Sequence, residues 1–396
     1  MVNAGEETAE PDTPTGRSGR YVSQREGYRA FHPAPLPPSP AIVLKGQLQR
    51  LLSEADRSLG RLDGSVQTLP NPDLFVYMYV RKEAVLSSQI EGTQSSLQDL
   101  LAAEAHLPAA GRPRDVDEVV NYVRAMNRGL ERLATLPVSV RLIREIHAEL
   151  LQSVRGSHLS PGELRRSQNW IGPAGCSLAE ASFVPPPPSE VPVALGQLET
   201  FLHEQDDLPL LVKIGLAHAQ FETIHPFLDG NGRVGRLLIT FLLCERSVLA
   251  KPVLYLSHYF KRHRQEYYER LQAIRDHGDF ESWLSFFLRG IADVSGEAAD
   301  TARRILQLRE DHRRAITAKL GRGAANGHRV LEQLYEQPIV SVRDVRELLG
   351  TTYAGANQVV QRLVEMSILT EITGQSRHRR FRYDAYVRLF DEEVGR

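Results

Sequence analysis

Apolar residues recur at three- and four-residue spacing over most of the chain, the pattern of amphipathic helices rather than strands. Leu48, Leu51, Leu52, Ala55 and Leu59 make one apolar face. Leu74, Tyr77, Val80 and Val85 make a second, which predicts a helix from near Pro72 towards Ile90. Asn71-Pro72 supplies its start, a capping residue followed by proline at the first helical position. The same periodicity predicts helices over 115–134, 138–152, 190–204, 208–223, 232–247, 258–276 and 279–315. It fails between 160 and 188. There Trp170-Ile171-Gly172-Pro173, then Phe183-Val184 and the run Pro185 to Pro188, predict a hairpin or ordered loop with a rigid exit.

The two ends differ from the middle. Residues 1–27 are polar, poor in large apolar side chains and rich in Gly, Thr and Pro, so a disordered tail is expected. The prolines of Phe31-His32-Pro33-Ala34-Pro35-Leu36-Pro37-Pro38 favour an extended strap over the surface. Near the other end, Gly321-Arg322-Gly323-Ala324-Ala325-Asn326-Gly327 has the composition of a linker. Three short helical patterns follow (328–336, 341–349, 353–366), then the alternating run Ile368 to Ile372 and a basic turn, Arg377-His378-Arg379-Arg380-Phe381-Arg382. Three helices and a basic hairpin is the order of a winged helix-turn-helix. Asn357, Gln358 and Gln361 would reach base edges from its last helix, and the arginines of the turn would meet phosphates of duplex DNA. The expected organisation is mainly α: a tail (1–27), a helical region (28–112), a helical core (113–320) and a winged helix (321–396).

Composition narrows the class. The chain has 396 residues, a net charge of −1 and two cysteines, Cys176 and Cys244. A disulfide framework is excluded and a cytoplasmic location is the default. Near-neutral charge argues against a chain-wide polyanion surface while leaving room for a local basic patch. No apolar run reaches the roughly 18–20 residues of a membrane span, and the N-terminus lacks an apolar signal-peptide core.

The chemistry concentrates in His225-Pro226-Phe227-Leu228-Asp229-Gly230-Asn231-Gly232-Arg233-Val234-Gly235-Arg236. Proline biases the residue before it away from helix, so the preceding helix should end at His225. Gly230, Gly232 and Gly235 open the next helix. A glycine-rich turn at a helix start presents backbone N–H groups and the positive dipole end to phosphate. Asn231 adds a side-chain donor, and Arg233 and Arg236, one turn apart, can face one anion. Asp229 is a hard oxygen ligand suited to Mg²⁺ on those phosphates. His225, with an ordinary pKa of about 6.5, suits a general base near neutral pH. Residue chemistry alone specifies a base beside an anion cradle.

The stretch fits H-x-F-x-[DE]-G-N-G-R-x-x-R at every fixed position, and the chain resembles the Fic family of protein adenylyltransferases. At average residue frequencies, eight fixed positions would recur by chance in such a chain with a probability of roughly 10⁻⁸. The resemblance implies ATP as donor, transfer of AMP to a Ser, Thr or Tyr hydroxyl of a protein (the chain itself included), and Mg²⁺. It implies that residues 162–188 form a flap which pins the target by main-chain pairing. Ile171, Tyr267 and Tyr268 would lie beside the nucleoside, and Arg275 stands where some relatives have an asparagine near the base. Ser87-Ser88-Gln89-Ile90-Glu91-Gly92 fits the family's inhibitory motif, [ST]-x-x-x-E-[GN]. Glu91, with Ser87, would pair with Arg236 where the γ-phosphate belongs, and in some relatives the same glutamate supports removal of AMP. An alternative keeps the fold as a nucleotide sensor in a DNA-binding regulator, and a homodimer is a further expected partner state. Other donors, for transfer of phosphate, UMP or phosphocholine, are known in the family.

Overall fold

The computed structural model describes residues 16–67, 72–107, 113–173 and 175–391. In chain order they form β1 (Gly19–Ser23), β2 (Arg29–Pro33), α1 (Gly46–Gln67), α2 (Asp73–Ile90), α3 (Leu97–Glu104), α4 (Val116–Leu133), α5 (Val140–Leu150), α6 (Val191–His203), α7 (Leu210–Ile224), α8 (Asn231–Glu245), α9 (Ser257–Arg262), α10 (Arg264–His277), α11 (Phe280–Leu320), α12 (Ala324–Glu336), β3 (Ile339–Ser341), α13 (Val342–Leu349), α14 (Tyr353–Glu365), β4 (Thr370–Glu371), β5 (Arg380–Arg382) and α15 (Asp384–Asp391). The fold is mainly helical, as expected. The chain divides into two compact units.

The first unit comprises residues up to 53, 128–242 and 263–289. Its centre is α7, buried from Leu211 to Ile224 on every side. A helix enclosed all round must satisfy its polar residues internally. Glycines bring its neighbours close. A Cβ on Gly215 would lie 2.9 Å from Leu284, and one on Gly235 of α8 would lie 2.3 Å from Oε1 of Glu222. The indole N–H of Trp283 donates to the Gly215 carbonyl at 2.8 Å.

One expectation for this unit is corrected. Residues 19–23, assigned from composition to a disordered tail, form β1 and pair antiparallel with β2, Tyr21 opposite Phe31. Gly27 turns the hairpin at φ +87°, a conformation glycine adopts freely. The tail reading failed because the strand is held by tertiary contacts: Phe31 is buried, and its N–H donates to the carbonyl of Val184 at 2.9 Å. Residues 1–15 lie outside the described residues. The predicted helix over 258–276 is broken at His263 into α9 and α10. No proline or glycine marks that break.

The second unit comprises residues 54–127, 243–262 and 290–396. Here α2 is largely enclosed. The hydroxyl of Tyr79 donates to the Ala298 carbonyl of α11 at 2.8 Å, and its ring meets Phe390 of α15 at 5.3 Å. Neither α3, started by a Ser96–Asp99 capping box, nor α15 was anticipated. The linker expected at 321–327 is instead a single 3₁₀ turn, Gly321–Gly323, between α11 and α12. Gly321 reverses the chain at φ +50°, and Gly327 lacks the Cβ that would meet Ile316 and Leu320 at 2.7 Å. These glycines serve a tight helix–helix reversal. Beyond it, β3, β5 and β4 pair antiparallel in that order, with α12, α13 and α14 preceding the β4–β5 turn. Among the described residues, no helix is long and apolar enough to cross a membrane.

Candidate active site

The helix α7 ends at His225, which adopts the left-handed conformation (φ 49°, ψ 60°). Such a backbone costs a non-glycine residue of the order of 1–2 kcal/mol and persists only when its surroundings hold it. Three donors do so here. Arg165 Nε and Asn169 Nδ2 both reach the His225 carbonyl, at 2.9 and 3.3 Å, and Arg165 N–H donates to the next carbonyl, of Pro226, at 3.0 Å.

The turn into α8 is built locally. Asn231 accepts from the N–H of Phe227 and donates to its carbonyl, both at 2.8 Å. Its side chain thus brackets the turn with one of its amide donors and is 2% exposed. Asp229 leaves its carboxylate partly exposed, with Arg233 Nη2 at 3.6 Å from Oδ1. Gly156 makes room for it, since a Cβ there would sit 2.5 Å from Asp229 Oδ2. Arg233 and Arg236 are nearly sealed, at 1% and 2% exposed.

Two histidines that the sequence reading passed over secure this turn. His147 accepts from Gly162 N–H at Nδ1 (2.8 Å), so Nε2 carries the proton and donates to the Asp229 carbonyl at 3.0 Å. The ring stacks on Phe227 at 3.7 Å. Burial pushes its pKa down to about 4, so the neutral tautomer is the working one. His218 donates from Nδ1 to the Gly235 carbonyl and accepts at Nε2 from Tyr267, both at 2.9 Å, and burial lowers its pKa to about 3. A single histidine on the apolar face Leu142, Ile143, Ile146, Leu150 was the available signal for His147.

Residues 162–188 include the predicted two-limbed element. Ile171 and Phe183 exchange both backbone hydrogen bonds (2.8 and 3.1 Å) as an isolated antiparallel bridge. Arg165 Nη2 reaches the carbonyls of Pro186 (2.5 Å) and Ile224 (3.3 Å), and Gln168 Nε2 that of Pro185 (3.0 Å). Arg275 lies over the Phe183 ring at 3.7 Å and donates to the Glu222 carbonyl at 3.2 Å. Arg275 is thus a packing residue between flap and α7, not an exposed contact for a base. Tyr267 is likewise placed in the core, 1% exposed, with its hydroxyl given to His218, while its neighbour Tyr268 is 40% exposed. The pair was read as one nucleoside-facing feature, but adjacent residues of a helix point in different directions. Ser87 and Glu91 belong to the second unit, at the C-terminal end of α2: Ser87 is buried, and Glu91 caps the helix with its N–H on Ser88 O (3.0 Å).

Arranged this way, the first unit offers a histidine at a helix end, a glycine-rich helix start, two buried arginines and one accessible carboxylate. Residues 137–243 match the family described as Fic/DOC, and residues 49–131 match its Fic/DOC N-terminal region. The protein adenylyltransferase Fic of Aedes aegypti is 32% identical over 224 residues, which cover 53% of this chain and 39% of that protein. A probable protein adenylyltransferase of Aquifex aeolicus is 29% identical over 175 residues, covering 44% of this chain and 51% of its own. The chain thus spans about half or less of the curated relatives it matches. In fold it is similar to a Fic family protein from Desulfovibrio desulfuricans G20 (TM-score 0.57, 20% identity, 86% of this chain and 97% of that one). A Fic domain-containing signalling protein from Bacteroides thetaiotaomicron VPI-5482 gives a TM-score of 0.50 at 18% identity, over 65% of this chain and 95% of that one. With the motif from His225 to Arg236 set between α7 and α8 of a helical core, residues 49–131 and 137–243 of the chain carry the N-terminal region and the core of the Fic/DOC family.

Proposed function

We propose that the protein is an adenylyltransferase that moves AMP from ATP to Ser, Thr or Tyr hydroxyls of proteins, itself included. The observation that carries this reading is His225, held in a left-handed turn one loop away from a glycine-opened helix with two buried arginines. Named relatives at about 30% identity support adenylyl as the transferred group. His225 takes the proton of the attacking hydroxyl as that oxygen bonds to the α-phosphorus. The bond from that phosphorus to the bridging oxygen breaks on the far side, and pyrophosphate leaves. The N–H groups at the start of α8, with Arg233 and Arg236, stabilise the charge on the phosphates. Among the described residues no group of three His, Cys, Asp or Glu is set to hold a metal. The partly exposed carboxylate of Asp229 would hold Mg²⁺ in the manner usual for that ion, one carboxylate with the remaining ligands from phosphates and water. Such an ion would neutralise phosphate charge.

Glu91, supported by Ser87, acts in this reading as an inhibitory carboxylate whose removal raises transfer, and which also supports removal of AMP. Both cysteines are free, which suits a reducing, cytoplasmic setting. Wild type, Glu91→Gly, and Glu91→Gly/His225→Ala are incubated with Mg-ATP and read by intact mass. One AMP gained per site, most in Glu91→Gly and none in the double mutant, is the expected result. No gain in any of the three, with ATP still bound, would overturn it.

A second reading concerns the C-terminal module, proposed as a winged helix that contacts duplex DNA, with the Fic core as its nucleotide sensor. It is favoured by the exposure of Tyr353 and Gln358 on α14 and by Arg379, which donates to Asn357 at 2.9 Å and so ties the basic turn to that helix. Duplex affinity that falls steeply with salt supports it, and flat or undetectable binding removes it.

A further inference from the structure

The C-terminal end of α7 has carbonyls with no partner inside the helix, as every helix end does. Here two buried arginines satisfy those of Glu222, Ile224 and His225. Arg165, 3% exposed, donates to Ile224 and His225; Arg275, 8% exposed, donates to Glu222 and to the hydroxyl of Thr223 at 3.4 Å. Neither donates to a carboxylate among the described residues. The counter-charge for Arg165 is the negative end of the helix dipole, and Arg275 has in addition the nearby charge of Glu222. Desolvation brings both pKa values down to about 10, still far above neutrality, so both stay charged. Each arginine also holds the flap's exit limb: Arg165, itself on the entry limb, through the Pro186 carbonyl, and Arg275 through the face of Phe183. The same limb is braced by β2, where Phe31 N–H reaches Val184 O and the Phe31 ring stands 6.0 Å from that of Phe183.

We propose that Arg165 and Arg275 form a clamp that sets the register of the flap against His225, with Arg275 as the positioning residue that makes the setting rigid. The inference rests on the adenylyltransferase reading and extends it to how the target hydroxyl is placed. A target strand paired to the flap inherits the flap's position, and His225 sits one residue beyond the helix end that both arginines hold. Flap and base therefore move as one body. A loss of this clamp displaces the target oxygen while leaving the phosphate cradle intact. A displacement of about 1 Å costs on the order of 100-fold in rate. Planar guanidinium is required at 275, because lysine cannot both stack on Phe183 and donate in a fork to the helix end.

The test is made in the Glu91→Gly chain with Arg275→Met and Arg275→Lys. Three quantities are measured: ATP affinity by calorimetry, self-modification rate by intact mass, and amide exchange at Ile171, Phe183 and Phe31. In Arg275→Met, ATP affinity should hold within about twofold while transfer falls by roughly 10- to 100-fold and the Ile171 and Phe183 amides exchange faster. Arg275→Lys should fall between the two, and it serves as the decisive variant if Arg275→Met does not fold. Unchanged flap exchange in a folded variant would overturn the clamp. So would a loss of ATP affinity in step with the rate, because Arg275 would then act at the nucleotide. A Glu91→Gly parent that transfers no AMP would defeat the adenylyltransferase reading instead, and the exchange data would still decide the clamp.

Discussion

The loop from His225 to Arg236 and the flap from 162 to 188 are both irregular chain between helices, yet they are held in different ways. The turn of the loop is braced largely by its own residues: Asn231 brackets Phe227 four positions away, and Gly230 N–H bonds the Asp229 carboxylate beside it. The flap has its own bonds, the Ile171–Phe183 bridge and the Arg165 and Gln168 contacts to the carbonyls of Pro186 and Pro185, and takes further support from distant chain, β2 and Arg275. Local closure preserves the geometry of the turn, and with it the proposed phosphate cradle, even if the surroundings shift. Long-range bracing makes the flap depend on the whole unit. His147 joins the two, accepting from Gly162 at the flap's entry and donating to Asp229 in the loop.

Breaking the loop's chemistry should give the largest effect. His225→Ala removes the base and should lower transfer by roughly 10²- to 10⁴-fold with ATP binding kept, measured as self-modification beside calorimetry. Next comes the flap's distant brace. Phe31→Ala, a fully buried ring, should cost about 3–5 kcal/mol and lower the melting temperature, with exchange rising first at Phe183 and Val184. A local fault elsewhere with a quiet flap would contradict the contrast drawn above.

The residue shared by both regions gives a pH signature. His147 has a folded pKa of about 4 against an ordinary 6.5, so the unfolded chain takes up a proton in that window which the folded one refuses. Stability is complete above pH 6.5 and falls as pH drops towards 4, by about 3 kcal/mol from this residue alone. His147→Gln should flatten the slope between those values in denaturant titrations. An identical slope would place the proton uptake elsewhere. The smallest effect expected is Asn231→Ala, which strands the N–H of Phe227 at a cost of about 1–3 kcal/mol. Its carbonyl keeps Asn169 as a donor at 2.8 Å, which limits the loss.

Much of this was legible beforehand. Proline after His225 and the glycine at 230, at φ +78°, announced the helix end and the helix start, because those residues act on their own backbone. The predicted helices around them formed within a few residues of the expected bounds. The failures have two causes. β1, α15 and the Tyr267 hydroxyl meet partners remote in sequence, Asp276, Tyr79 and His218 among them. At Gly321–Gly323 and at Asn231 the partners are near: a composition that looked like a linker packs Gly327 against Ile316 and Leu320, and an amide assigned to a ligand brackets Phe227.

By itself the sequence determined the helical class and the position of the loop from His225 to Arg236, to which the proposed chemistry is assigned, since residue type, spacing and helix-end geometry are local properties. Only the tertiary structure decided which polar groups remain available, that Arg275 serves the flap, and that the N-terminal segment is a strand. Those outcomes depend on which surfaces meet across long stretches of chain, and a buried polar group takes whatever partner that meeting supplies.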